Sequence, residues 1–174
     1  MLDKIKKLRE TTGLGISDCK KALVEAQGDM GKALELLKQR GIAIMEKKAG
    51  KATHQGVVES YVHFSRNVGA LVEINCQTDF VAKTEDFRKF AKDIAMHIAA
   101  MGPKYISADH IEPEVLEKVE DREGFIKNNC LMEQAFVKDS SVSIKEYLNS
   151  VIAKTGEKVV IKRFARFSLG DEEA

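Results

Sequence analysis

Glu73-Ile74-Asn75-Cys76-Gln77-Thr78-Asp79-Phe80-Val81-Ala82-Lys83 carries an alternating apolar stretch directly into a carboxylate and a large aromatic ring. Upstream, Ala70 and Val72 extend the alternation that runs through Ile74 and Cys76, the period of a strand with one buried face. Downstream, Thr84 followed by Glu85 and Asp86 reads as a helix cap with an acidic first turn. Phe87, Phe90, Ala91, Ile94, Ala95 and Ile98 then recur at helical spacing. The stretch is therefore a strand end that hands over to a long helix, with Asp79 and Phe80 at the junction. Two readings of the junction stand. In one, Phe80 is an exposed wedge beside an exposed charge on a braced turn. In the other the helix is continuous, Phe80 joins the apolar stripe of Phe87, and Asp79 is only a cap.

Toward the N-terminus, Val57, Glu59, Tyr61 and His63 alternate with Val58, Ser60, Val62 and Phe64, and Ser65-Arg66-Asn67-Val68-Gly69 is turn-prone. Strands over 56–64 and 69–77 are expected to form an antiparallel hairpin. Residues 1–40 read as a three-helix domain, with apolar stripes Leu2/Ile5/Leu8, Cys19/Ala22/Leu23/Ala26 and Met30/Ala33/Leu34/Leu37. Gly13, Gly28 and Gly41 sit at the helix ends, Ser17 or Asp18 caps the second helix, and Asp29 caps the third. Residues 41–54 read as a partly helical, basic linker.

Beyond the long helix, Met101-Gly102-Pro103-Lys104 stops the pattern and Pro113 suits the first position of a new helix. Ser143 to Lys154 is helical, with Ile144, Tyr147, Leu148, Val151 and Ile152 on one face and Thr155-Gly156 at its end. Val159 to Leu169 reads as a last strand that joins the hairpin, and Asp171 to Ala174 as a frayed acidic tail. The fold class is α+β: a three-helix N-terminal domain, then a core over 55–174 with a small antiparallel three-stranded sheet packed with helices.

Charge narrows the function. With 28 basic and 27 acidic residues the net charge is +1, too little for a general cationic field, so a protein partner is expected and direct nucleic-acid contact is not. No apolar run has the length of a membrane span, which fits a cytoplasmic protein with no membrane partner. Cys19, Cys76 and Cys130 form no C-x-x-C pair and no metal-ligand spacing with the four histidines, so reduced thiols and no metal are expected. Neither G-x-x-x-x-G-K-[ST] nor G-x-G-x-x-G occurs, so no nucleotide cofactor is expected either. A Cys76–His63 nucleophile pair is disfavoured because the strand alternation is read as placing them on opposite sides of the sheet. No catalytic residue is assigned.

The eleven residues quoted first resemble the most characteristic motif of the elongation factor Ts family, the guanine-nucleotide exchange factors of translation elongation. Leu8-Arg9-Glu10-Thr11-Thr12-Gly13-Leu14-Gly15-Ile16-Ser17-Asp18-Cys19-Lys20-Lys21-Ala22-Leu23 resembles its second motif. Leu131-Met132-Glu133-Gln134-Ala135-Phe136-Val137-Lys138-Asp139 resembles its C-terminal module, with Ala135 where proline is more usual. The resemblance implies a ubiquitin-associated-like fold for the N-terminal domain and elongation factor Tu as the partner. It implies partner contacts, with displacement of magnesium and GDP, at Thr78, Asp79, Phe80, Val81, Ala82 and Lys83. It further implies contacts at Lys6, Leu14, Ile16 and Ser17, and at His97 on the core helix; Leu14 and Ile16 equally suit plugs at the base of the bundle. Asp93 to Ala100 resembles the helix of a second half-unit that longer members possess, yet here it follows directly from the Thr78-Asp79-Phe80 turn. A chain with one half-unit is expected to pair as a homodimer. The competing reading is an adaptor that binds ubiquitin-like proteins through its N-terminal helices.

Overall fold

The computed structural model of the chain describes residues 1–12, 14–48 and 50–171. The proposed break at Gly13 and the acidic tail beyond Asp171 lie outside those residues. Helices α1 (Leu2–Thr12), α2 (Ile16–Glu25) and α3 (Met30–Lys47) enclose a small core of their own. Ile5, Leu8, Cys19, Ala22, Leu23, Ala33 and Leu37 fill it, so the expected stripes turn inward except for Leu2, which is exposed at the start of α1. Asp29 caps α3 as expected, accepting from the Lys32 N–H at 2.8 Å. The cap of α2 differs from expectation. Gly15 holds that position without a side-chain bond, and Ser17 and Asp18 fall inside the first turn.

Gly41 also differs, since it lies inside α3. The helix runs on to Lys47 and packs along α8 (Ile144–Thr155), and a Cβ at Gly41 would sit 2.5 Å from the Asn149 carbonyl oxygen. A mid-helix glycine costs about 1 kcal/mol relative to alanine, and here its missing side chain lets two helix backbones approach. Ile44, one turn on, packs against the main core. Gly41 and Ile44 thus join the end of α3 to the second half of the chain.

Strands β1 (Gln55–Val62) and β2 (Val68–Cys76) form the expected antiparallel hairpin, in register Val57↔Ile74 and Tyr61↔Ala70. Strand β5 (Val160–Ser168) pairs antiparallel on the other side of β2, so the order is β1-β2-β5. Ala70, Val72, Ile74 and Cys76 are buried on the inner face, against Phe87, Phe90, Ala91, Ile94, Ala95 and Ile98 of α5 (Glu85–Met101). Each wholly buried large side chain there contributes roughly 1.5–3 kcal/mol, so β2 is fixed on three sides, by two strands and a helix.

The outer face of the sheet is uncovered. Val58, Val62, Leu71 and Phe167 share it by the register, and all are exposed. The segment after α5 holds α6 (Pro113–Glu117), which has its proline in the first turn as expected, and α7 (Arg122–Asn129). A two-stranded hairpin of β3 (Ala135–Phe136) and β4 (Asp139–Ser143), not foreseen from sequence, packs beside α8. Ala135 pairs there with Ser143. Ser143 then starts α8 with a reciprocal capping box to Glu146, and Gly156, at φ +66°, ends it.

Candidate functional site

The end of β2 is where the chain changes structure three times in ten residues, and each change is held by a side chain. Cys76 is fully buried and its thiol donates to the Thr78 carbonyl at 3.1 Å. Thr78 caps a single helical turn, α4 (Asp79–Ala82), by accepting from the Val81 N–H at 3.4 Å. Thr84 closes that turn by donating to the Val81 carbonyl at 2.7 Å, and caps α5 by accepting from the Phe87 N–H. The Glu157 carboxylate accepts from the backbone N–H groups of both Gln77 and Thr78.

Two caps six residues apart break the helix, and that decides between the readings of Phe80. The ring is 79 % exposed, whereas Phe87 on the next helix is fully buried. A continuous helix would have put both on one stripe; the break turns Phe80 outward. Asp79 stands beside it, with its carboxylate 2.6 Å from Lys83 Nζ one turn on. The hydrogen bond from Lys83 holds the Asp79 carboxyl below the usual carboxylate range, so it is charged at neutral pH.

Other residues expected at a partner surface are placed differently. Val81 and Ala82 are buried in the main core, because a single helical turn that shows two side chains to solvent turns the other two inward. Leu14 is buried in the N-terminal core, the plugging role, while Ile16, Lys6 and Ser17 are exposed. His97 is wholly buried on α5. Its Nδ1 accepts from the Val137 N–H at 3.2 Å, so the ring proton sits on Nε2 and donates to Gln134 Oε1 at 3.0 Å. Burial lowers its pKa, which the Gln134 bond only partly opposes. Nearby, buried Asp93 accepts from Lys138 Nζ at 2.6 Å and from the Tyr147 hydroxyl at 2.9 Å. His97 and Asp93 therefore pin the β3–β4 hairpin onto α5, and the His97 ring is enclosed in the core of the free chain.

The thiol reading fails for a reason other than the one expected. The register Gln55↔Cys76 puts Cys76 and His63 on the same side of the sheet, but at opposite ends of the hairpin, about 26 Å apart at strand rise. Burial also pushes the Cys76 thiol up to about 11. All three cysteines are free and buried. Among the described residues no group of three His, Cys, Asp or Glu side chains is placed to hold a metal ion, and no helix is long and apolar enough to cross a membrane.

The sequence profile of the family described as Elongation factor TS matches residues 3–123 and 121–172. The chain is 47% identical over 190 residues to an elongation factor Ts of Caldanaerobacter subterraneus subsp. tengcongensis, covering 96% of this chain and 95% of that one. It is 50% identical to that of Desulforamulus reducens, covering 96% and 88%. Against that of Thermotoga neapolitana it is 43% identical over 192 residues, covering 98% of each. The braced turn with its outward ring thus sits in a chain matched almost from end to end, and the chain belongs to the elongation factor Ts family of translation elongation factors.

Proposed function

We propose that this protein is a cytoplasmic guanine-nucleotide exchange factor: it binds elongation factor Tu carrying GDP and promotes loss of the nucleotide so that GTP can enter. The observation that carries the reading is the pairing of an exposed Phe80 with a charged Asp79 on a turn braced from the sheet. An isolated exposed aromatic ring gains most by entering an apolar slot on a partner. The neighbouring carboxylate, once it leaves Lys83, disturbs charge and hydrogen bonds around phosphate and magnesium, whose octahedral shell tolerates little displacement. No covalent bond is made or broken, so the protein acts as a binding partner and not as an enzyme.

Linkage sets the scale. If the bound factor weakens GDP by some ratio, GDP weakens the factor by the same ratio. Burying one phenylalanine ring returns roughly 1.5–3 kcal/mol, and each tenfold of release needs about 1.4 kcal/mol. Phe80 thus supplies about one to two decades, and the remainder comes from the wider interface, to which the exposed Lys6, Ile16 and Ser17 contribute. The sheet's open outer face, with Val58, Val62, Leu71 and Phe167, is assigned to a second copy of the chain, giving a homodimer. An adaptor acting through the N-terminal helices alone would leave the Asp79–Phe80 turn without a use. The deciding experiment is release of a fluorescent GDP analogue from elongation factor Tu with and without this protein. A release rate unchanged by a saturating amount of the protein refutes the proposal.

A further inference from the structure

We propose that Glu157 is a positioning residue for the Asp79–Phe80 turn: its carboxylate sets the direction in which the ring and the charge are presented. The inference rests on the exchange reading above. One oxygen, Oε2, accepts from the N–H of Gln77 at 3.2 Å and of Thr78 at 3.1 Å, and the other, Oε1, accepts from the Thr78 hydroxyl at 2.7 Å. Those are the last two residues before α4. A four-residue helix is too short to fix its own axis, so its direction follows from its N-cap, and here the N-cap residue is bonded through both N–H and hydroxyl to a single carboxylate. Because Thr78 Oγ1 donates to Glu157, its lone pair is left facing the Val81 N–H that it caps. Losing the carboxylate frees the hydroxyl rotor and two backbone N–H groups together.

Glu157 is itself held. It follows Gly156, where α8 ends and the chain reverses toward β5. Lys48, at the end of α3, donates from Nζ to the Gly156 carbonyl at 2.5 Å, and the Lys158 N–H donates to Gln77 Oε1 at 3.3 Å. The 156–158 reversal is thus tied to Lys48, which caps the C-terminus of α3, on one side and to Gln77, just past β2, on the other. Glu157 is half-buried within this knot, so its task is orientation of the turn and not contact with a partner.

The test compares the wild type with Glu157→Ala, Glu157→Gln and Phe80→Ala. It measures stopped-flow release of a fluorescent GDP analogue from elongation factor Tu, and amide hydrogen exchange in the free protein. Glu157→Ala is expected to slow maximal release about tenfold, with the half-saturating concentration changed less than about threefold. The amides of Gln77, Thr78 and Val81 lose protection while those of Val72 and Ile74 keep it. Glu157→Gln, which retains a neutral acceptor, recovers part of the rate, and it carries the same comparison if Glu157→Ala does not fold. Added to Phe80→Ala, the Glu157 change slows release little further, because it acts through the ring. Wild-type maximal release in Glu157→Ala, unchanged protection of Gln77 and Thr78, or a loss fully additive with that of Phe80→Ala overturns the inference. A wild-type protein that does not accelerate release overturns the exchange reading instead, and amide protection then still decides whether Glu157 orients the turn.

Discussion

Replacing Phe80 by alanine separates a surface wedge from a core side chain, because the two roles give opposite balances of stability and activity. The ring is 79 % exposed in the free protein, so its loss leaves no cavity. The melting temperature should stay within the roughly 2–4 °C that about 1 kcal/mol moves a domain of this size. Under the proposed function the same ring is wholly buried in the complex, so its removal is expected to cost roughly 1.5–3 kcal/mol, which is about one to two decades in GDP release and in affinity for nucleotide-free elongation factor Tu. Phe87→Ala is the contrast. That ring is fully buried between α5 and the sheet, so its cavity costs about 3–5 kcal/mol and lowers the melting temperature by on the order of ten degrees. Asp79→Ala, which removes a partly exposed carboxylate paired with Lys83, should slow release with a smaller loss of affinity and little change in melting. Stopped-flow release beside thermal melts of the three variants decides. If Phe80→Ala melts like Phe87→Ala and its exchange per folded molecule is normal, the wedge argument is wrong.

Three further expectations follow from other parts of the molecule. Gly41→Ala should destabilise the protein despite the better helix former, because its Cβ meets the Asn149 carbonyl at 2.5 Å; a raised melting temperature would contradict the close packing of α3 on α8. The protein should sediment at twice its 19.4 kDa chain mass, and Phe167→Glu, which places a charge on the open sheet face, should give monomers; a wild type that is monomeric at micromolar concentration and fully active removes the dimer. Stability should fall as the pH drops through the His97 titration. The folded pKa is lowered by burial, so the unfolded chain takes up the proton first. That contribution is fully present above the unfolded value of about 6.5 and is lost as pH falls through the folded value. Denaturant unfolding between pH 7.5 and 5.5 should show a decline that His97→Gln flattens, and equal slopes in the two proteins would refute it.

What was legible in the sequence was whatever is decided by neighbours along the chain. The alternation of Ala70, Val72, Ile74 and Cys76, the caps at Asp29 and Thr84, Pro113 and the stop at Gly156 all rest on contacts within about one helical turn or one strand period, and each is found where it was read. Gly41 and Glu157 were not legible, because their partners lie far off in sequence: Gly41 is small for the sake of Asn149, and Glu157 bonds Thr78 across 79 positions. The β3–β4 hairpin escaped for another reason, since a strand of two residues is too short to show a period. The partner contact at His97 rested on the family resemblance, and the burial of the ring was not legible because Gln134 and the Val137 N–H, which satisfy both nitrogens inside the core, lie 37 and 40 positions away.

Phe80 is the instructive case, because the sequence contained the answer in local form. If Thr84 caps the helix that begins at Glu85, then residues before Thr84 lie outside that helix, and the spacing between Phe80 and Phe87 no longer places them on a common stripe. A cap and a continuous stripe across it are mutually exclusive. A threonine immediately before each helical start, with acids behind it, therefore weighs more than apolar periodicity in deciding which way the intervening ring turns. The same reasoning explains why the turn is rigid enough to act. Each of its two short breaks is satisfied by a threonine hydroxyl rather than left to solvent, so the outward direction of Phe80 is set before any partner arrives, and less ordering entropy is lost on binding.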